Sequence, residues 1–130
     1  MAKGIVLVVD DEMFIVDFLT EVLEAAGYLV YATADDAALQ LARNVQPDII
    51  LLDILLPSMD GSELARHLRI DPQTAGIPII AMSALPDAHT RITRMAVDDY
   101  LAKPFNLDDL LDRVQYWSHR RARRDSLSRP

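Results

Sequence analysis

Asp10-Asp11, Asp53, Ser83 and Lys103 are the residues whose types and spacing could do chemistry together. Each follows a short apolar run: Ile5–Val9, Ile49–Leu52, Ile77–Met82 and Tyr100–Ala102. In an open parallel sheet the C-terminal ends of such strands face one edge, where these folds place their sites. Three carboxylates, a hydroxyl and a lysine therefore converge. The carboxylates make a hard, oxygen-only set that suits Mg²⁺, an ion that takes one or two carboxylates, waters and a phosphate oxygen. Zinc is disfavoured, because the chain has no cysteine and none of His67, His89 and His119 lies at a strand end. Three carboxylates and one lysine sum to −2. A bound Mg²⁺ brings the sum to zero and lets the site receive a phosphoryl group.

Phosphoryl transfer asks a protein mainly for positioning and charge neutralisation. A carboxylate can itself be the nucleophile and form an acyl phosphate. Asp53 is the candidate, since it closes the most apolar run and the turn Pro57-Ser58-Met59-Asp60-Gly61 follows. Ser83 would hydrogen-bond the phosphoryl group. Lys103 precedes Pro104, and a cis bond there would aim the lysine inward. Each residue alone has a plainer reading as a turn residue, a cap or a solvated lysine. Matching chemistry at four strand ends is what separates the set from those readings.

The elements that must position these groups alternate along the chain. Ile5–Val9, Tyr28–Tyr31, Ile49–Leu52, Ile77–Met82 and Tyr100–Ala102 are expected as strands. Most are apolar at every position, as parallel strands covered on both faces are. The first helix carries Phe14, Phe18, Leu19, Val22 and Ala26 on its buried side, and Gly27 ends it in a left-handed turn. Thr33 with Asp36 caps a second helix over 37–43, and Asp60 with Glu63 caps a third. Ala88, Ile92, Met95 and Ala96 outline a fourth after Pro86. Asn106 and Asp109 open a fifth, with Leu107, Leu110, Leu111, Val114 and Trp117 buried. Five strands and five helices in alternation, with right-handed crossovers, give one doubly wound parallel sheet with helices on both faces.

The set Asp10-Asp11, Leu51–Gly61, Ser83-Ala84 and Asp99–Phe105 resembles the receiver domain of two-component response regulators, over about residues 3–118. The resemblance implies a flavodoxin-like, CheY-like fold with strand order 2-1-3-4-5. It implies that Asp53 is the phosphoacceptor for a histidine kinase or phosphotransfer protein. Asp11, Asp53 and the backbone carbonyl of Leu55 would ligate Mg²⁺, with Asp10 acting mainly through water. Lys103 would pair with the phosphoryl oxygens, and Ser83 and Tyr100 would form the switch pair. Two departures stand out. The segment from Ser83 to Lys103 is shorter than usual, with Met95-Ala96-Val97-Asp98 in place of a glycine-containing turn. Leu55 and Leu85 are apolar where polar residues often help water reach the phosphoryl group.

Length and composition bound the rest. A chain of 130 residues, 51% of them hydrophobic, is expected as one domain with its own core. Residues 3–119 form the receiver and 120–130 an arginine-rich tail or linker. No apolar run approaches a membrane span, so a cytoplasmic location without membrane insertion is expected. The net charge of −7 divides into −12 over residues 1–112 and +5 over residues 113–130. An acidic body argues against nucleic-acid binding by the domain itself. The function expected is a signalling switch that passes its state to a downstream protein and catalyses only its own phosphoryl transfer and dephosphorylation. A homodimer is compatible with it. Alternatives are a phosphorylation-independent interaction domain and a Mg²⁺-dependent phosphohydrolase. The latter lacks the second Asp two residues after the nucleophile, where Leu55 stands. A flavin or nucleotide binder would need a glycine-rich loop that four scattered glycines do not supply.

Overall fold

The computed structural model describes residues 2–56, 60–84 and 96–128, with the side chains of 121–128 left aside. Strands β1 (Ile5–Val9), β2 (Leu29–Thr33), β3 (Ile49–Asp53), β4 (Ile79–Ser83) and β5 (Asp99–Ala102) form one parallel sheet in the order β2-β1-β3-β4-β5. Four helices are present among the described residues: α1 (Met13–Ala25), α2 (Ala37–Val45), α3 (Gly61–Ile70) and α4 (Leu107–Ser128). The expected helix after Pro86, with Ala88, Ile92 and Met95, lies outside the described residues apart from Ala96, as do His89, Leu85 and Pro57-Ser58-Met59.

Alternation along the strands divides the core in two, because successive side chains leave a sheet on opposite faces. Val6, Val8, Ile49, Leu51, Ile80 and Met82 pack with Leu19 and Leu23 of α1 and with Leu110 and Val114 of α4. Leu7, Val9, Ile50, Leu52 and Ile79 pack with Ala38 and Ala42 of α2 and with Leu64, Ala65 and Leu68 of α3. Both faces of the central strands are thus covered, and β3 and β4 are buried at every position. Each large apolar side chain buried this way stabilises by roughly 1.5–3 kcal/mol. The rigidity of β1, β3 and β4 is what fixes the groups at their ends.

Strand starts are pinned by acids that the pattern of apolar runs did not single out. Asp48 Oδ2 accepts the Ile5 N–H at 2.7 Å, beside Gly4. Asp98 Oδ2 accepts the Ile79 N–H at 2.8 Å and an Arg69 N–H at 2.7 Å. Arg69 also donates to the Ala96 carbonyl at 3.1 Å and the Ala75 carbonyl at 3.0 Å. This guanidinium fastens the end of α3 to the residues entering β5.

Several expectations shift. The stripe on α1 is turned: Phe14 is 86% exposed and Phe18 43%, while Leu19 and Leu23 are buried with Ile15, Val16, Val22 and Ala26 against them. Strand β2 begins and ends later than expected and, at the sheet edge, leaves Leu29 and Tyr31 exposed. The cap of α2 comes from Asp35, whose Oδ1 accepts the Ala37 N–H at 3.0 Å and the Thr33 hydroxyl at 3.2 Å; Asp36 makes no side-chain cap bond. Leu107 is exposed at the start of α4. Other readings hold. Asp60 caps α3 through the Ser62 N–H at 2.9 Å, and Asn106 caps α4 through the Asp109 N–H at 3.1 Å. Gly27 has φ +102° and the Lys103–Pro104 peptide is cis.

Candidate functional site

Four strand ends bring the expected groups to one edge of the sheet. Asp10 follows β1 and Asp53 ends β3; both are buried. Asp11, one residue on, is exposed, as its place at the mouth requires. Carboxylate oxygens of Asp10, Asp11 and Asp53 all lie within 4.8 Å of one another. Lys103 follows β5 and crosses to them: its Nζ stands 2.8 Å from Asp10 Oδ2 and 3.4 Å from Asp53 Oδ2.

Backbone donors fix the remaining lone pairs. Asp10 Oδ1 accepts the Glu12 N–H at 2.9 Å, which orients it at the entrance to α1. Asp53 Oδ1 accepts the Leu55 N–H at 2.9 Å. The same turn is held by a bridge between Leu55 and Asp60. Gly61 closes the floor: a Cβ there would sit 2.4 Å from Ile54 Cα and 2.7 Å from the Asp53 carbonyl oxygen. Only glycine allows α3 to begin so close beneath the end of β3.

Charge at the site is under-compensated. Burial pushes the Asp53 carboxyl above the ordinary carboxylate value, and Asp10 pushes it the same way; the Leu55 N–H and the Lys103 ammonium pull it back without cancelling the rise. Burial works against the Lys103 charge, but the Asp10 hydrogen bond and the fields of Asp53, Asp10 and Glu12 hold its ammonium above the usual lysine value. Among the described residues, the Lys103 ammonium pairs with two of the three carboxylates, Asp10 and Asp53. Such a cluster fits a divalent cation by its donor chemistry, since all its ligand atoms are hard oxygens.

Ser83 ends β4 and is buried, next to Met82, the register partner of Asp53. Its carbonyl accepts the Lys103 N–H at 2.8 Å. Tyr100 is half-buried on β5, and its ring packs with Ile54 and Ala81. Leu55 is 47% exposed at the rim. Of the histidines, His119 is exposed and His67 lies near Glu63 at 3.7 Å, both away from the carboxylates.

The profile of the response regulator receiver domain matches residues 6–115. The chain belongs to that family. As a receiver it is 40% identical over 113 residues to the DNA-binding dual master transcriptional regulator RpaA of Synechocystis, a match covering 85% of this chain and 47% of that protein. The receiver thus spans about half the length of the curated relatives it matches. Among solved structures it resembles the receiver domain of the sensor histidine kinase PA1611 from Pseudomonas aeruginosa, with a TM-score of 0.83 and 31% identity over 91% of this chain and 99% of that one. That structure carries a magnesium ion coordinated in its active site cleft. The receiver domain of the Francisella response regulator 1452 is similarly close, with a TM-score of 0.81 and 34% identity over 91% and 98% of the two chains. No helix among the described residues is long and apolar enough to cross a membrane.

A second cluster, which the sequence reading did not assemble, joins β5 to α4. Asp99 Oδ1 accepts its neighbour's Tyr100 N–H at 2.8 Å and an Arg113 N–H at 2.6 Å. Asp99 Oδ2 accepts the Trp117 indole N–H at 2.9 Å. Arg113 also donates to the Tyr100 carbonyl at 2.7 Å and to Asp109 at 2.8 Å. Trp117 was expected as a core anchor of this helix; it is half-buried and packs against the α1 side of the core while its N–H serves Asp99.

Proposed function

We propose that this receiver is a phosphoacceptor switch in which Asp53 takes a phosphoryl group from a phosphorylated histidine of a histidine kinase or phosphotransfer protein. The Asp53 carboxylate attacks phosphorus as the donor's N–P bond breaks, and the leaving imidazole nitrogen keeps the electron pair and takes up a proton. The observation that carries this reading is the Lys103 ammonium, placed at 2.8 Å from Asp10 and 3.4 Å from Asp53 at the buried end of β3. A cation in that place can leave Asp53 for the incoming phosphoryl oxygens while Asp10 still holds it. Family membership and the neighbouring acidic cluster support the same assignment.

Asp11, Asp53 and the Leu55 backbone carbonyl would hold Mg²⁺, with Asp10 acting on it mainly through water. When bound, the ion would neutralise charge on the phosphoryl oxygens. Ser83 would hydrogen-bond the acquired group, and Tyr100, already packed on the residue after Asp53, would turn inward with it. The state would then reach a downstream protein by contact. Residues 3–119 would carry this switch and 120–130 a basic tail or linker. In support, Ser118 is the last buried residue of α4 among the side chains described.

Acetyl phosphate with Mg²⁺, followed by intact mass and peptide mapping, tests the assignment. One phosphoryl group on Asp53 is expected, lost in Asp53→Asn and on chelation. Asp11→Ala should lose it as well while remaining folded. Modification of Asp53→Asn at the wild-type level would overturn the assignment.

A further inference from the structure

We propose that the exposed face of α1 is a docking site for the arginine-bearing end of α4 from a second copy of this chain. The proposal does not depend on what happens at Asp53.

Charge is divided sharply along the sequence. Between Lys3 and Arg43 stand eight acidic residues and no lysine or arginine, whereas residues 113–130 carry a net +5. Asp17, Glu21 and Glu24 follow one another at spacings of four and three on α1, so they share a side of the helix, and like charges placed in this way repel. All three are exposed, and none has an ion-pair partner among the described residues. Beside them Phe14 is 86% exposed and Phe18 43%. Met13, Phe14, Asp17, Phe18 and Glu21 line an open groove of about 400 Å³. Carboxylates next to uncovered phenyl rings suit one kind of side chain above others. A guanidinium pairs with a carboxylate through its planar fork and stacks on an aromatic face.

The chain supplies that group itself. α4 stays helical past Ser118, the last buried side chain described, to Ser128. At 3.6 residues per turn, Arg120, Arg121, Arg123 and Arg124 fall within roughly 160° of its circumference. Both α1 and α4 begin at the edge of the sheet that holds Asp10 and Lys103, and both run back to the opposite edge. The arginines therefore leave the body at the end away from Phe14. As part of a continuous helix they can reach the groove of another copy and not their own. Other occupants fit the arginine end less well. Ala122 is the only apolar residue in 119–126, so there is no apolar face to enter a membrane. Nucleic acid would be repelled by the acidic body behind the arginines, the same charge that draws a second copy.

The contact joins two different surfaces, so it can be rebuilt from two variants that each keep one of them. Sedimentation equilibrium of the full chain, freed of nucleic acid, is the test. At low salt the apparent mass should rise with concentration above the 14.6 kDa of one chain. Exposed ion pairs are weak and screened, so raising the salt from about 25 mM to about 300 mM should weaken association roughly tenfold. Arg121→Gln/Arg123→Gln/Arg124→Gln and Asp17→Lys/Glu21→Lys should each stay monomeric alone and associate when mixed, since the first keeps the groove and the second the arginines. A wild type that is monomeric at every concentration in low salt would overturn the proposal. So would association that survives in either variant, or a mixture that stays monomeric. Duplex DNA bound by a monomeric wild type through the same arginines would give them another occupant and also overturn it. The mass of the wild type and its salt response decide the point even if a variant fails to fold.

Discussion

Two acid-and-cation clusters flank β5, and they are built to different ends. At the C-terminal end of the strand, Lys103 faces Asp10 and Asp53, which cluster with Asp11, and no other cation pairs with them among the described residues. Along its outer side, Arg113 serves Asp99 and Asp109 while Tyr100 N–H and Trp117 N–H complete the acceptors of Asp99. The first cluster is buried except for Asp11 and short of positive charge. The second lies near the surface, and its shared carboxylate is met by three donors. Burial raises the cost of every uncompensated charge, so the inner cluster is held in place by its strands at a cost in stability. The outer one stabilises the strand it touches. A site with the proposed task of accepting a cation and a phosphoryl group has to be left incomplete; a brace does not.

The largest effect should come from the floor of the inner cluster. Gly61→Ala would place a methyl 2.4 Å from Ile54 Cα. The backbone must move, and a loss of about 2–3 kcal/mol is expected, as for other overpacked sites. The phosphorylation rate should fall with it, because the displaced main chain carries Asp53. Chemical denaturation and acetyl phosphate labelling measure the two. A variant with wild-type behaviour in both would mean that α3 can withdraw at no cost to the site.

Next in size, the outer cluster should answer to a neutral substitution by losing stability. Asp99→Asn keeps the shape but replaces an acceptor oxygen with a donor that meets Arg113 or Trp117 badly. A loss of about 2 kcal/mol is expected, read as a lower urea midpoint. Stability equal to the wild type would erase the distinction between a brace and a site.

The same change at the inner cluster should have the opposite sign. Because the folded protein raises the Asp53 carboxyl above its unfolded value, the protonated form is favoured on folding. That benefit is fully present below the unfolded value, near pH 3.9, and is lost as pH rises through the folded value. Asp53→Asn should therefore be more stable than the wild type at neutral pH, with a higher melting midpoint. The gap should close on acidification, when the wild-type carboxyl is neutral too. Melting curves at several pH values check this, and a gap that widens on acidification would reverse the sign assigned to Asp53.

The smallest effect concerns the lifetime of the modified state. Leu55 stands at the rim with no group to orient an attacking water. Leu55→Asn should shorten the lifetime of phosphorylated Asp53 several-fold, worth about 1 kcal/mol in the barrier, without altering the outer cluster. Decay of the mass-resolved phosphoprotein in the isolated chain measures it. A wild type that already decays as fast would leave Leu55 as a packing residue only.

How far the sequence reached follows the same division. The inner groups were legible because each ends an apolar run, and parallel strands collect such ends at one edge. The outer cluster was not, since Asp99, Arg113 and Trp117 come from two elements whose relative rotation no local pattern encodes. Asp48 and Asp98 were also passed over, since each pins the start of a neighbouring strand, at Ile5 and Ile79, and not the strand that follows it in the chain. On α1 the run Met13-Phe14-Ile15-Val16-Asp17-Phe18-Leu19 offers two apolar stripes. The aliphatic one packs against β1 and β3, and the bulkier one carrying Phe14 and Phe18 is left outside. An apolar run by itself could not reveal that β2 would be an edge strand; the order 2-1-3-4-5 implied by the resemblance placed it there, and the sheet has that order.

The length of α4 has a mechanical consequence. The helix continues from Ser118, its last buried residue among the side chains described, to Ser128. At 1.5 Å per residue that stretch is about 15 Å long. Held at its base by the Asp99 hydrogen bonds to Arg113 and Trp117, it would act as a lever whose short arm lies against β5. A tilt of only about 10° would sweep its far end through roughly 2.6 Å over that reach. A displacement too small to disturb the packed end at Ser118 would thereby be amplified toward Ser128, past Arg120, Arg121, Arg123 and Arg124.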